Sequence, residues 1–327
     1  MKLLSYALDR RLEPRLAIAW NGQVVDVMRA SLWLNKDRGA KELLKLPSSM
    51  RLALAQWDEA FPLLKKLDDA LQSVSVGELV INERPVAQDE GEIVFFPPVP
   101  DPPSVRDFYA FEQHVKTARG RRNLEMVPEW YEFPAFYFTN PNALLGHQWD
   151  LKIPAYTSEL DFELEIACII AGGGRDIQAH EASNQIAGYT IFNDWSARDI
   201  QRKEMKVGLG PAKGKDFASS LGPYLVTADE FNNLQVGKGC NVEMIARRNG
   251  QELSRGNWKD ISFSFAEMIA RASEAVNLLP GDILGSGTVG TGCILELGPE
   301  NTDGWLKVGD VLDLEIQGMG TLSNRIT

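Results

Sequence analysis

The chain has 327 residues, of which 44% are hydrophobic and 24% charged, and a formal net charge of −11 at pH 7. That length can bury a large core, as one big domain or two unequal ones, and the composition is ordinary for a soluble globular protein. The acidic balance speaks against a nucleic-acid partner, which needs a basic stripe, and the one basic cluster, RGRRN at 119–123, is local. The opening MKLLSYALDRRLEPRL mimics a secretory leader, but Asp9, Arg10 and Arg11 break its apolar run too early. No window approaches the ~18 uninterrupted apolar residues of a membrane span, so no membrane partner is expected. The three cysteines, Cys168, Cys240 and Cys293, lack paired spacing. They suggest neither a disulfide framework nor a zinc site, and they fit a cytoplasmic location.

In chain order, LAIAWNGQVVDV reads as two strands joined by a type I′ turn at Asn21-Gly22. Next, SSMRLALAQWDEAFPLLKKLDDALQSV has helical spacing with a serine cap. Nothing in this part looks chemical; it reads as a folding or dimerisation module. Five prolines in FFPPVPDPPSVRDF, residues 95–108, exclude helix and inner strand and mark a stiff linker. The expected boundary separates a small N-terminal domain, 1–98, from a catalytic domain, 99–327. Beyond it strands dominate: EIACIIAG, AGYTIFND, PYLVTADE, CNVEMIARRNGQEL, DILGSGTV, CILELG and DVLDLEIQGMG. AGGGRDI reads as a turn into a helix, IQAHEASNQI. SFSFAEMIARASEAVNLL is the clearest helix, capped by Ser262 or Ser264. The order gives an α+β, strand-dominated fold rather than regular βαβ alternation.

Three stretches bear on chemistry. In ELDFELEIACII, residues 159–170, Asp161, Glu163 and Glu165 fall on one face of a strand. A solvated edge explains that pattern, and so does a divalent cation that turns carboxylate repulsion into attraction. FNDWSARDIQ packs Asp194, Arg198, Asp199 and Gln201 behind an apolar strand, as a capped helix start or as the source of a third metal ligand. GSGTVG, residues 285–290, matches a dinucleotide fingerprint, but TGCILELG after it reads as a strand where that site needs a helix.

Together DFYAFEQHV, LDFELE, NDWSARDIQ, GKDFASSLGP and GTVGTGCILELG, in this order, resemble the fumarylacetoacetate hydrolase family over residues 104–327. The resemblance implies a mixed β-roll with a small SH3-like β-barrel before it, and a homodimer. It implies Asp107, Glu163, Glu165 and Asp194 as ligands of one Mg²⁺ or Ca²⁺ per subunit. It gives Asp161 no ligand role and leaves it solvated or behind the ligands. His114 takes the place of the general base and Glu296 that of the carboxylate orienting it. Without the motif, His114 reads as a surface histidine and Glu296 as an alternating strand residue. Lys215 and Gln201 match oxyanion-stabilising positions; Tyr109, Tyr137, Arg198 and Thr288 match positions that hold substrate oxygens. Asn123 stands where an arginine is usual, and a one-residue shift gives that role to Arg122. Ser219 stands for a threonine and keeps the hydroxyl. His147 and His180 match no role.

The activity so implied is hydrolysis of a carbon–carbon bond in a small anionic β-diketo acid. Fumarylacetoacetate, cleaved at the end of tyrosine and phenylalanine breakdown, is the leading substrate. Fumarylpyruvate or acylpyruvate hydrolysis, oxo-acid hydration and decarboxylation are the alternatives within the family. A metal-binding scaffold without turnover is the alternative outside it.

Overall fold

Alternating apolar runs in the sequence become strands of one large sheet. The computed structural model describes residues 1–327. Its main sheet has 12 strands. Along the central path these run Ala87–Asp89, Gln23–Asp26, Arg15–Trp20, Lys2–Ala7, Ser219–Thr227, Ile186–Asp194, Leu164–Ile170, Ile283–Gly285, Val105–Phe108 and Phe136–Thr139. Neighbours on this path are antiparallel except Ile283–Gly285, which runs parallel to Val105–Phe108. A second, antiparallel sheet of four strands holds Gln251–Asn257, Glu243–Arg248, Val311–Ile316 and Gly320–Arg325. The fold is mixed α+β and strand-rich, and no helix is long and apolar enough to cross a membrane.

Local signals fix several joints. Asn21 and Gly22 both take positive φ, 51° and 74°, as a type I′ turn requires. Asn249 and Gly250 repeat the arrangement at 53° and 79°. Ser49 caps Met50–Ala55, and the chain restarts at once as the helix Trp57–Leu71. Ser264 caps Phe265–Ser273 in a capping box with Glu267.

The expected SH3-like barrel is not confirmed: Lys2–Ala7 pairs with Arg15–Trp20, that strand with Gln23–Asp26 and the last with Ala87–Asp89, but the row opens into the main sheet instead of closing on itself. Lys2–Ala7 pairs with Ser219–Thr227, Lys2 opposite Val226 and Leu3 opposite Leu225, so the segment extends the main sheet. Its helices cover a shared core in which Leu3, Ile18, Leu34 and Leu64 join Ile169, Phe192, Leu225 and Ile283. Pairing with an existing edge satisfies the strand's donors and acceptors, and the joint core removes apolar area that a small barrel would have to bury alone. The proline-rich stretch is extended but packed: Val99 is buried and the Ser5 hydroxyl donates to the Pro98 carbonyl at 2.7 Å.

Two other expectations fail for tertiary reasons. IQAHEASNQI yields only the 3₁₀ turn Ala182–Gln185, in which Ala182 alone is buried. A segment that short needs a regular apolar face to hold it as a helix, and its core residues, Ile177, Ala182 and Ile186, do not recur at helical spacing. CILELG is not a strand but the one-turn helix Ile294–Leu297. Its first N–H groups are taken by the Asp161 carboxylate, a partner that strand propensity does not register.

Candidate active site

Strand register sets the site. Leu164 lies opposite Asn193 and Glu165 opposite Phe192, while Gly285 is paired with Asp107. The start of Leu164–Ile170, the end of Ile186–Asp194 and the strand Val105–Phe108 therefore bring their carboxylates to one end of the sheet. Gly285 has no side chain because Oδ1 of Asp107 would lie 2.7 Å from its Cβ.

Asp107, Glu163 and Glu165 each place an oxygen within 4.8 Å of the others, and all three are buried. Glu163 is compensated: Arg198 Nη2 donates to Oε1 at 2.8 Å and Lys215 Nζ to Oε2 at 2.6 Å. Burial works against its charge, but Lys215 and Arg198, with His114 behind them, hold its pKa down to about 2. Asp107 and Glu165 have no ion pair, and only Asp107 feels an opposing charge, that of Lys215. Burial first, then the neighbouring carboxylates, pushes both well above the usual carboxylate range. Their contacts are the Gly287 N–H, donating to Asp107 at 3.2 Å and Glu165 at 2.9 Å, and the Thr288 hydroxyl 3.5 Å from Glu165. Gly287 reaches them at φ 79°, with its α-carbon so close to Phe108 that a Cβ would sit 2.5 Å from the Phe108 carbonyl. The glycine-rich loop thus serves carboxylates, not a pyrophosphate.

Asp194 stands beside this group and not in it. Its Oδ2 accepts from Lys215 at 2.6 Å and from the Tyr137 hydroxyl, and Ser219 lies 3.5 Å from Oδ1. Burial opposes the charge of Lys215, yet Asp194 and Glu163 outweigh it and keep the ammonium protonated. Burial and Asp194 likewise raise the Tyr137 phenol.

The second half of the site comes from Glu112–Gly120 and the helix Ile294–Leu297. His114 Nδ1 lies 2.5 Å from Glu296 Oε1, with both residues buried. The other Glu296 oxygen accepts from the Thr291 N–H at 3.1 Å. His114, Cys293 and Glu296 also form a group of potential metal donors. The 2.5 Å separation is instead that of a direct hydrogen bond, since two donors on one ion of ~2.1 Å bond length stand farther apart. Tyr109 packs edge-on to the imidazole at 5.3 Å, and burial raises its phenol to about 12.

Arg198 joins the halves: Nε donates to Asp161 at 2.8 Å, Nη2 to Glu163, and Nη1 to Gln201 at 3.0 Å. Arg122 is exposed, bonds to the Ala118 carbonyl at 3.1 Å and exerts its charge on Tyr109. Its neighbour Arg121 instead reaches the Glu296 carbonyl at 3.1 Å. His147 lies apart, accepting from the Ser323 N–H, and His180 is on the surface. Sequence reasoning passed over the Gly287 N–H and left Asp161 without a task. The only sequence signal for Asp161 was its place on the same strand face as Glu163 and Glu165.

The residues fit a divalent cation. The three grouped carboxylates are hard oxygen donors, and two of them, Asp107 and Glu165, have no cation bonded to them and stay raised despite the Lys215 charge near Asp107, a deficit that a divalent cation makes good.

A strand-rich mixed sheet carrying a carboxylate cluster beside a buried histidine–glutamate pair defines a class of acid–base enzyme site with room for a hard metal. Residues 104–327 match the family described as "Fumarylacetoacetate (FAA) hydrolase C-terminal", and the chain belongs to it. It is 27% identical over 345 residues to fumarylacetoacetase of Bos taurus, spanning 88% of this chain and 81% of the bovine protein. It is 34% identical over 199 residues to oxaloacetate tautomerase YisK of Bacillus subtilis (strain 168), covering 60% of this chain and 62% of that one. A fumarylacetoacetate hydrolase structure from psychrophilic Exiguobacterium antarcticum superposes with a TM-score of 0.69 at 21% identity, over 100% of this chain and 99% of that one. At that identity the likeness is one of fold.

Proposed function

We propose that this chain is a metal-dependent hydrolase that cleaves a carbon–carbon bond in a β-diketo acid, with fumarylacetoacetate as its substrate and fumarate and acetoacetate as products. The observation that carries the reading is the buried His114–Glu296 pair set beside the carboxylate group. The identity with bovine fumarylacetoacetase over most of both chains supports the choice of substrate.

Asp107, Glu163 and Glu165, with Asp194 beside them, would hold Mg²⁺ or Ca²⁺, which when bound supplies positive charge for the dicarbonyl oxygens. The chain's own groups do the rest. Glu296 accepts a hydrogen bond from the Nδ1–H of His114 and so leaves Nε2 free to take a proton from water. The water oxygen bonds to the acyl carbonyl carbon, and Lys215 and Gln201 donate to the resulting oxyanion. The carbon–carbon bond then breaks, its electron pair leaves with the acetoacetate fragment as an enolate, and the imidazolium returns the proton there. Arg198, Tyr109, Tyr137, Thr288 and Arg122 hold substrate carboxylates and oxygens. In this reading residues 99–327 form the catalytic unit and 1–98 its flank, in a cytoplasmic homodimer.

A tautomerase acting on an oxo-acid is the second reading, favoured by the identity with the Bacillus subtilis enzyme. The test is a metal-supplemented assay across fumarylacetoacetate, fumarylpyruvate, acylpyruvates and oxaloacetate. Fumarate released from fumarylacetoacetate is the expected result. Keto–enol exchange of oxaloacetate without cleavage of any diketo acid would transfer the site to the second reading.

A further inference from the structure

Asp161 is fully buried and stands outside both groups of potential metal donors. Its two oxygens nevertheless collect four N–H donors. Oδ1 accepts from Phe162 N at 2.9 Å and Ile294 N at 2.8 Å. Oδ2 accepts from Leu295 N at 3.0 Å and Arg198 Nε at 2.8 Å.

Two of these donors open the helix Ile294–Leu297, whose third residue is Glu296. A four-residue helix is far below the length that holds itself together in water. Its first N–H groups need acceptors, and Cys293 at the cap position bonds none of them, its thiol reaching toward Glu296 Oε1 at 3.7 Å instead. Asp161 supplies the acceptors. The fourth donor, Arg198, grips Glu163 at 2.8 Å through Nη2. One carboxylate is therefore bonded on one side to the turn that aims Glu296 at His114. On the other it holds the guanidinium that clamps Glu163.

We propose that Asp161 is the positioning residue that fixes the His114–Glu296 pair relative to the carboxylate group. The proposal rests on the reading of His114 as general base. Productive geometry in such sites is held to within about 0.5 Å, and a misplacement of about 1 Å can cost ~10²-fold in rate. Asp161 meets that demand with a single rigid side chain bonded to both halves.

The test is Asp161→Asn, nearly the same shape. Whichever way the amide is turned, its nitrogen faces two N–H groups and two of the four bonds are lost. The metal-loaded variant is compared with the parent for kcat and KM on fumarylacetoacetate, Mn²⁺ affinity, thermal melting and the downfield proton resonance of the Nδ1–H of His114. Expected is a kcat lower by roughly 10²-fold, with KM and Mn²⁺ affinity within about threefold. The downfield resonance should shift or vanish in a protein that still melts above assay temperature.

Ile294→Pro provides a second variant with Asp161 intact. It deletes one N–H donor at the first helical position, where proline's φ fits, and should lower kcat about tenfold with the same unchanged Mn²⁺ affinity. A parental kcat per folded, metal-loaded site in Asp161→Asn would reduce Asp161 to a stability role and overturn the proposal. Loss of Mn²⁺ affinity equal to the loss of kcat would also overturn it, by placing its effect on the metal donors. A parent that does not cleave fumarylacetoacetate would remove the functional reading alone. The resonance would still decide for Asp161: lost in Asp161→Asn it upholds the positioning role, unchanged it refutes it.

Discussion

The Glu296 carboxylate stands 2.5 Å from Nδ1 of His114, across 182 positions of sequence. Burial of both partners makes the contact a strong one, because little water competes for it. It fixes the ring's orientation, and in the proposed mechanism it also stabilises the imidazolium formed when Nε2 takes a proton from water. Around it the carboxylates are unevenly compensated, and that imbalance yields measurable consequences.

Asp107 and Glu165 carry pKa values raised by burial and by neighbouring carboxylates. A raised carboxyl contributes stability below its unfolded pKa, near ~4, and loses it as pH rises through the folded value. At pH 8 in chelator, Asp107→Asn should therefore melt above the parent, by on the order of a few degrees. With saturating Mg²⁺ or Ca²⁺ the order should reverse, because the parent alone keeps the full donor set. A chelated variant that melts below the parent would show that no uncompensated repulsion exists there.

Gly285→Ala should weaken the same site by sterics. The added Cβ would meet Asp107 Oδ1 at 2.7 Å and the Phe192 ring at 2.9 Å. Asp107 must then move, and divalent affinity measured by calorimetry should fall by about tenfold or more, the cost of disturbing a ligand's orientation. Unchanged affinity would mean that Asp107 contributes nothing to cation binding.

His147 offers a pH effect away from the site. Burial, only partly opposed by Asp313, lowers its pKa to about 4. The unfolded chain binds this proton from about 6.5 downward, so the parent loses stability as pH falls from there to about 4. Against His147→Gln, the parent's melting temperature should fall relatively through that window and hold steady below it. A constant difference from pH 7 to pH 4 would contradict the assignment.

What the sequence discloses follows the range of the forces involved. The Asn21-Gly22 turn, a serine cap at Ser262 or Ser264, and the grouping of Glu163 with Glu165 are local and were legible, although the strand itself starts only at Leu164 and the Glu267 half of the Ser264 cap went unread. The motif also placed His114 and Glu296, although their contact spans most of a domain. The helical state of CILELG was not legible, because it depends on Asp161, 133 positions away from Ile294. The Gly287 N–H was not legible either, since a backbone donor has no letter of its own. The joining of Lys2–Ala7 to Ser219–Thr227 was hidden for a related reason: alternation reveals a strand's faces but not the edge it will meet.

The pairing of His114 with Glu296 as one acid–base unit is tested most directly by kcat on fumarylacetoacetate for the metal-loaded parent, His114→Ala, Glu296→Gln and the double variant. His114→Ala should lose roughly 10²–10⁴-fold, Glu296→Gln should lose rate as well, and the double variant should be no slower than His114→Ala alone. Parental turnover in His114→Ala, or losses that multiply in the double variant, would contradict it.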